Sequence, residues 1–282
     1  MRKLKTILFL SIYLVSICII AITSSYASSH LFVGIRSGSY DLTIEKWDWD
    51  GGSGFSYVDT FAPLNIYNTG GLAGIRRGTS MAFYEDTLYI GSRHFDYLHI
   101  ERWSYDGENT FADMEYLGDI HLNTATSNSG IYGTCMHFVD NNLYIGTLYG
   151  NVLTIQKWIW DGDTGFELDS IIANLSLLNM PGNMSSGTTM SFTENYAYFG
   201  IRASDPSDNL IIERWEWDGY ASFSNPVTLN TITLPSALEN QSQGTGMSFY
   251  PNYHPKTVIP EPLSLCLMAV SLAGGILRLR KR

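Results

Sequence analysis

One six-residue pattern, Gly-Thr-x-Met-x-Phe, occurs four times in the middle of the chain. The copies begin at Gly78, Gly133, Gly187 and Gly244, with spacings of 55, 54 and 57 residues. Self-similarity at so regular a period is typical of repeat architectures, in which each repeat is one supersecondary unit. The sequence therefore predicts four structurally equivalent units of about 55 residues.

Each unit reads as four short strands. The first three copies of the pattern are each followed, after a predicted four-residue turn, by an apolar and aromatic strand ending in Gly91, Gly146 or Gly200. The third strand has the form Ile-Glu-Lys-Trp-x-Trp-Asp-Gly, with small variations, and starts at Ile44, Ile100, Ile155 and Ile212. A less regular fourth strand opens at Phe55, Phe111, Phe166 and Phe223. Because no helical periodicity interrupts these segments, the repeated region is predicted to be all-β.

Four-stranded repeats of this length predict a four-bladed β-propeller. In the third strand, Trp47 and Trp49 share one face, while Leu42 and Ile44 share the other. A strand that is apolar on both faces lies between two layers, as the strands of blades packed face to face do.

The repeats are offset from the ends of the region. The first repeat begins with a second strand, at residues 31–34, and the last ends on an unpaired first strand, at residues 244–249. We therefore expect the C-terminal strand to complete the N-terminal blade and close the ring. The order and spacing of the motifs resemble those of kelch-type propellers, although the paired glycines of kelch repeats are missing. That resemblance implies an architecture and no particular activity.

The N-terminus has the features of a secretory signal peptide. Arg2, Lys3 and Lys5 precede an apolar run, and Ser25 and Ala27 supply small residues at the −3 and −1 positions. We expect signal peptidase to cut after Ala27. An uncleaved N-terminal anchor is the alternative, because the apolar run is close to spanning length.

The C-terminus has three parts in a fixed order. Pro260, Glu261 and Pro262 precede an apolar run over residues 263–277, and the chain ends on a basic cluster made of Arg278, Arg280, Lys281 and Arg282. As a helix the run reaches roughly 22 Å, short of the roughly 30 Å hydrocarbon core, which suits a temporary anchor. The tail resembles the PEP-CTERM sorting signal of Gram-negative bacteria.

This resemblance implies processing by an exosortase-type enzyme after a transient stay in the inner membrane. The final location would then be the cell surface or the extracellular matrix. The predicted organisation is a signal peptide at 1–27, a propeller at 28–253, a linker with the Pro-Glu-Pro motif at 254–262, and an apolar sorting helix with its basic tail at 263–282.

Charge and cysteine content narrow the possible partners. The segments 1–27 and 278–282 carry seven Lys and Arg residues and no acid, so their removal takes the formal net charge from −10 to −17. So acidic a domain repels phosphate backbones, and nucleic acid is not an expected partner. Only Cys135 remains in the predicted propeller, which leaves no intramolecular disulfide.

Two charged positions recur in repeats one, two and four, and both are lost in repeat three. They are Arg36, Arg93 and Arg202 on the second strand, and Glu45, Glu101 and Glu213 on the third. Period-two counting places both on the face of the Trp pair, so we predict structural ion pairs between neighbouring strands of one blade. The alternative is a ring of arginines lining a channel for an anionic ligand.

Several features that invite a chemical role have simpler structural explanations. The Trp-x-Trp pairs could stack on sugars, but aromatics repeated at matched strand positions favour the blade core. The Asp-Gly turns, of which Asp161-Gly162-Asp163 is the most acidic, favour turn chemistry over calcium. Cys135 and His137 project to one side and could form a nucleophilic pair, but they occur in a single repeat.

No catalytic motif, metal-ligand spacing or cofactor signature is predicted. We therefore favour a non-enzymatic binding or structural module that binds exopolysaccharide. The alternative is an exported propeller enzyme, a glycosidase or lyase, acting on polysaccharide. We expect four long polar connections to gather on one face of the disc, at residues 68–77, 123–132, 179–186 and 236–243. The alternative is that they only carry the chain from an outer strand to the next inner strand. On this face Arg76, Arg77 and Tyr132 are the predicted ligand contacts, because they add charge and a stacking ring.

Overall fold

A computed structural model describes the central part of the chain. It covers residues 29–37, 41–66, 76–94, 96–122, 131–149, 152–179, 185–193, 195–203, 208–236 and 242–250. The secondary structure of these ranges is entirely strand and turn, in four antiparallel sheets. The fold is a four-bladed β-propeller, as the repeats predicted.

The blades follow the chain in order. Blade 2 consists of β5 (Arg76–Tyr84), β6 (Thr87–His94), β7 (Tyr97–Tyr105) and β8 (Phe111–His121). Blade 3 consists of β9 (Ile131–Val139), β10 (Asn142–Tyr149), β11 (Val152–Trp160) and β12 (Phe166–Ser176). Blade 4 consists of β13 (Ser185–Phe192), β14 (Tyr196–Ala203), β15 (Asn209–Trp217) and β16 (Phe223–Thr233).

Blade 1 combines the first strands of the region with the last. It contains β1 (Ser29–Ser37), β2 (Asp41–Trp49), β3 (Phe55–Thr60), the short β4 (Leu64–Asn65) and β17 (Ser242–Tyr250). β17 is antiparallel to β1, with Leu31 opposite Phe249 and Ile35 opposite Thr245. The predicted closure of the ring is confirmed, and every blade has the same inner-to-outer strand order.

The hydrophobic core consists of four interfaces between adjacent blades. Between blades 1 and 2, for example, Phe32, Leu42 and Ile44 pack with Met81 and Phe83. The opposite face of blade 1, carrying Leu31, Val33 and Trp47, packs against blade 4. Each sheet therefore buries apolar side chains on both faces of its second and third strands, whereas the outer strands β3 and β8 are largely exposed.

The Gly-Thr-x-Met-x-Phe motif forms the four inner strands, β5, β9, β13 and β17, and each of these contacts the next around the axis. A Cβ built on Gly187 would lie 2.6 Å from the Thr245 backbone nitrogen of blade 1. Glycine is required because the neighbouring backbone approaches so closely. Further along, the Phe83 N–H donates to Ser248 Oγ at 2.9 Å, which joins blades 1 and 2.

Two details differ from the sequence prediction. The hairpins between first and second strands are tighter than four residues, since Tyr84 pairs with Thr87 and Val139 with Asn142. The left-handed φ angles of Glu85 and Asp140, 54° and 51°, permit these two-residue turns. In blade 1 the outer strand is split by Pro63, which has no N–H to donate and lies between β3 and β4.

Candidate functional site

The candidate site lies on one face of the propeller, where the four inner strands begin. We call this the entry face, and the opposite one, which carries the Asp-Gly turns, the turn face. Arg76 and Arg77 open β5, and Tyr132 is the second residue of β9, the next inner strand around the ring. The backbone therefore brings the three predicted contact residues to adjacent positions. Their side chains lie outside the described part of the structure.

The charges are distributed unevenly between the two faces. Five of the nine Lys and Arg residues between positions 29 and 250 lie on first or second strands at the entry face: Arg36, Arg76, Arg77, Arg93 and Arg202. The described turns of the opposite face carry acids, among them Asp50, Asp86, Asp106, Asp161 and Asp218. The entry face also has acids, Asp41, Asp96 and Asp208, but these stand at or just before third strands, farther from the axis. Arg36, Arg93 and Arg202 are buried, so Arg76 and Arg77 are the arginines of this set that could reach a ligand on the entry face.

The strand register corrects the predicted ion pairs. Arg36 lies opposite Leu42, whereas Glu45 lies opposite Val33. Arg93 and Glu101 are related in the same way, as are Arg202 and Glu213. Since directly opposed residues share a face and neighbours alternate, the two charges of one blade project to opposite faces. The predicted pairing within a blade is therefore wrong.

One arginine and one glutamate interact between blades instead. Arg202 of blade 4 projects toward the face of blade 1 that carries Glu45, and the two attract each other. Repetition of this geometry places Arg36 toward blade 2, Arg93 toward blade 3, and Leu148 of blade 3 toward blade 4. In repeat three, Leu148 replaces the arginine and Gln156 replaces the glutamate. The first change affects the interface of blade 3 with blade 4, and the second affects its interface with blade 2.

The buried glutamates organise the connections between blades. Glu45 Oε1 accepts a hydrogen bond from the Ser236 N–H at 2.6 Å, and Glu213 Oε1 accepts one from the Asn179 N–H at 2.6 Å. Each donor belongs to the connection that leaves the preceding blade. Desolvation raises the pKa of Glu45, while hydrogen bonds from Ser236 and Trp47 and the charge of Arg202 oppose that rise.

The first Trp of each Trp-x-Trp pair is part of the same arrangement. In all four blades its indole N–H donates to the side chain two residues earlier, at 3.0–3.2 Å, including Gln156 in blade 3. Trp47, Trp158 and Trp215 are buried. The assignment of these three rings to the blade core is confirmed, and the partly buried Trp49 and Trp103 pack against the same core. Two tyrosines beside turns, Tyr149 and Tyr220, are exposed.

The Cys135 and His137 side chains do not form a reactive pair. Cys135 is fully buried, and desolvation raises the pKa of its thiol, which disfavours the nucleophilic thiolate. His137 is also buried, and its Nδ1 lies 3.5 Å from Ser191 Oγ of blade 4. Both side chains serve the interfaces between blades.

The Asp-Gly turns are held by their own backbone. Asp106 Oδ1 accepts N–H bonds from Glu108, Asn109 and Thr110, and these bonds lower the pKa of Asp106. Asp161 Oδ1 accepts from Asp163 and Gly165 in the same way. Within the described ranges, no group of three or more His, Cys, Asp or Glu side chains is arranged to hold a metal ion. Turn chemistry, rather than calcium, accounts for these residues.

The predicted signal peptide and the sorting residues lie outside the described residues. Among the residues that are described, none forms a helix with the length and hydropathy needed to cross a membrane.

Comparison with known proteins does not assign this chain to a family. No family model matches the sequence, and no curated protein matches it. Among solved structures, the chain is similar to a mutant lectin of Aleuria aurantia in complex with alpha-methyl-L-fucoside, with a TM-score of 0.33 and 11% identity. The match covers 74% of this chain and 58% of the lectin chain. A likeness this distant has no bearing on what the present chain binds.

Proposed function

We propose that this protein is an exported, non-enzymatic binding module that holds an anionic extracellular polysaccharide against the entry face of its propeller. The observation that carries the proposal is the placement of Arg76, Arg77 and Tyr132 at the start of two neighbouring inner strands. Arginine binds carboxylate and sulfate groups through paired N–H donors, and a tyrosine ring stacks on a sugar face.

The charge distribution gives the ligand an orientation. An anionic polymer is repelled by the acidic turns of the opposite face and meets Arg76 and Arg77 at the start of β5 on the entry face. The formal charge of −17 expected after processing makes this local basic region the favourable approach. The sorting tail supports the same function, because a protein delivered to the cell surface or matrix is exposed to exopolysaccharide.

The second candidate, an exported glycosidase or lyase, needs two carboxylates facing a substrate cleft. The recurrent glutamates are buried between blades, and the recurrent aspartates bond their own turns. These acids therefore have structural partners, which favours the binding module.

Binding of the mature protein to exopolysaccharide from its own host tests the proposal. We expect Arg76→Ala and Tyr132→Ala each to weaken binding by about tenfold, since each removes one principal contact. Tyr220→Ala, on the turn face, is the matched control and should bind as the parent does. Equal binding by all four proteins, or none by the parent, would contradict the proposed surface. Release of reducing or unsaturated sugar ends would instead establish the enzyme.

A further inference from the structure

A closed ring of threonines surrounds the propeller axis, and no function above uses it. Each follows the motif glycine on an inner strand, and its side chain lies against the glycine of the preceding blade. The four contacts are Thr134 with Gly78, Thr188 with Gly133, Thr245 with Gly187, and Thr79 with Gly244. We call Thr79, Thr134, Thr188 and Thr245 the threonine ring. The ring is narrow, because the opposed inner strands β5 and β13 have Cα atoms within 8 Å of each other.

The hydroxyls of the threonine ring are buried and lack hydrogen-bond partners. Each threonine is at most 1% exposed, and none of the four Oγ1 atoms bonds to any other described residue. A valine has the same shape without the cost of an unpaired polar group. That all four repeats place a hydroxyl here indicates that a ligand on the axis satisfies the ring.

Arg202 indicates the charge of that ligand. It lies opposite Gly187, the glycine that contacts Thr245. Its Nε and Nη1 are buried and make no hydrogen bond within the described residues. Guanidinium nitrogens are donors only, and hydroxyls can donate, so the shared partner is an acceptor. Arg36 and Arg93 occupy the equivalent positions of blades 1 and 2, and their like charges disfavour a cation.

The nearby carboxylates do not fill this role. Asp208 and Glu45 attract Arg202. Asp208 is exposed and stands just before β15, a third strand farther from the axis. Both Glu45 oxygens, however, already accept hydrogen bonds, from Ser236 and from Trp47. Glu45 also stands on a third strand, about two strand spacings or roughly 10 Å farther out than the inner strand.

We propose that the threonine ring and Arg202 bind a small inorganic anion of the chloride class on the propeller axis. The size follows from the narrow axis, since the opposed inner strands β5 and β13 have Cα atoms within 8 Å of each other. The anion accepts hydrogen bonds from hydroxyls of all four blades and so links them at the centre. This site does not include Arg76, Arg77 or Tyr132, the proposed contacts of the polysaccharide.

The test measures chloride binding to the full chain in detergent. Sodium chloride replaces sodium gluconate at constant ionic strength, and both the chlorine NMR linewidth and the thermal unfolding midpoint are followed. We expect the parent to broaden the chlorine signal and to gain thermal stability with chloride. Thr188→Val should weaken the apparent chloride affinity about tenfold or more, as expected for the loss of one hydrogen bond to a charged group. Without chloride, it should be at least as stable as the parent.

Matched variants make the result specific. Thr154→Val removes an exposed hydroxyl that bonds Asn174 on an outer strand, and it should keep the parent's chloride affinity. Arg202→Met combined with Glu45→Gln removes the cation and its buried counter-charge together, and it should abolish the chloride effect. Arg76→Ala should leave it intact, so this proposal and the polysaccharide proposal fail separately. A parent without chloride dependence, or a Thr188→Val protein that matches the parent, would overturn the anion site.

Discussion

The Ser236 N–H and Glu45 Oε1 form a 2.6 Å hydrogen bond across 191 residues of sequence, between the last blade and the first. Glu213 and Asn179 repeat this contact between blades 3 and 4. The glutamate therefore fixes the connection that leaves one blade to the third strand of the next. Ring closure depends on this bond as well as on the pairing of β17 with β1.

Substitution of Glu45 should destabilise the fold in a graded way. Glu45→Leu removes both acceptors and leaves the partly buried Ser236 N–H and the buried Trp47 N–H unpaired, and we expect a loss of about 3–4 kcal/mol in the free energy of unfolding. Glu45→Gln keeps one acceptor, as Gln156 does in blade 3, and should cost about 1–2 kcal/mol. Urea denaturation measures both. The exposed Glu115→Gln is the control and should change stability by less than about 1 kcal/mol. Equal effects of Leu and Gln would contradict the role of the acceptor.

Glu45 should also make stability depend on pH. Its pKa in the folded state is raised above 4.5, chiefly by desolvation, so the folded protein holds this proton more tightly than the unfolded chain does. The favourable contribution of Glu45 is therefore complete below pH 4.5 and is lost as pH rises through the raised pKa. Unfolding free energies of the parent and of Glu45→Gln, measured from about pH 4 to about pH 7, isolate this contribution. The parent's stability relative to the variant should fall as pH increases, and a constant difference would argue against the raised pKa.

The sequence predicted the blades better than it predicted their contacts. The repeat period, the four strands and the closure by β17 follow from local patterns that recur. The faces of Arg36 and Glu45 do not, because they depend on the register of the hairpin that joins β1 to β2. A slip of one residue exchanges the faces of every side chain on a strand. The partner of Arg202 lies in another blade, so no pattern within one repeat could identify it.

In the candidate site, too, the sequence predicted the positions of residues along the strands but not the contacts between blades. The equivalence of the inner strands was enough to place Arg76 and Tyr132 at one end of the ring. The threonine ring was missed because Gly-Thr reads as part of a strand motif, and only the packing of adjacent blades shows the hydroxyls to be buried and unpaired. The recurrence of threonine in all four copies was the available signal.

Gly187→Ala tests the close contact at the centre of the propeller. The added Cβ would lie 2.6 Å from the Thr245 backbone nitrogen, which belongs to a paired strand and cannot move aside easily. We expect a loss of about 2–3 kcal/mol by chemical denaturation. Gly52→Ala, whose nearest neighbour would be the exposed Asp50 carboxylate at 3.3 Å, should cost less than about 1 kcal/mol. Similar losses in both variants would show that the inner-strand contact is not special.

The Asp-Gly turns should be insensitive to calcium. Asp106→Ala removes the acceptor of three backbone N–H groups and should lower the melting temperature by a few degrees. Neither EDTA nor added calcium should change the melting temperature of the parent, because the Asp106 oxygen that organises the turn already has its donors. A rise in melting temperature with calcium that disappears in Asp106→Ala would contradict this assignment.

The processing prediction concerns both ends of the chain. The small residues Ser25 and Ala27 predict an N-terminus at Ser28, and the Pro-Glu-Pro motif before a short apolar run predicts a C-terminus near residues 260–262. Intact-mass spectrometry of protein isolated from the native host gives both ends in one measurement. A species that begins at Ser28 and has lost the basic cluster would agree with the sorting proposal. A main form that retains Arg282 would refute it, and the polysaccharide proposal would then have to stand on the entry face alone.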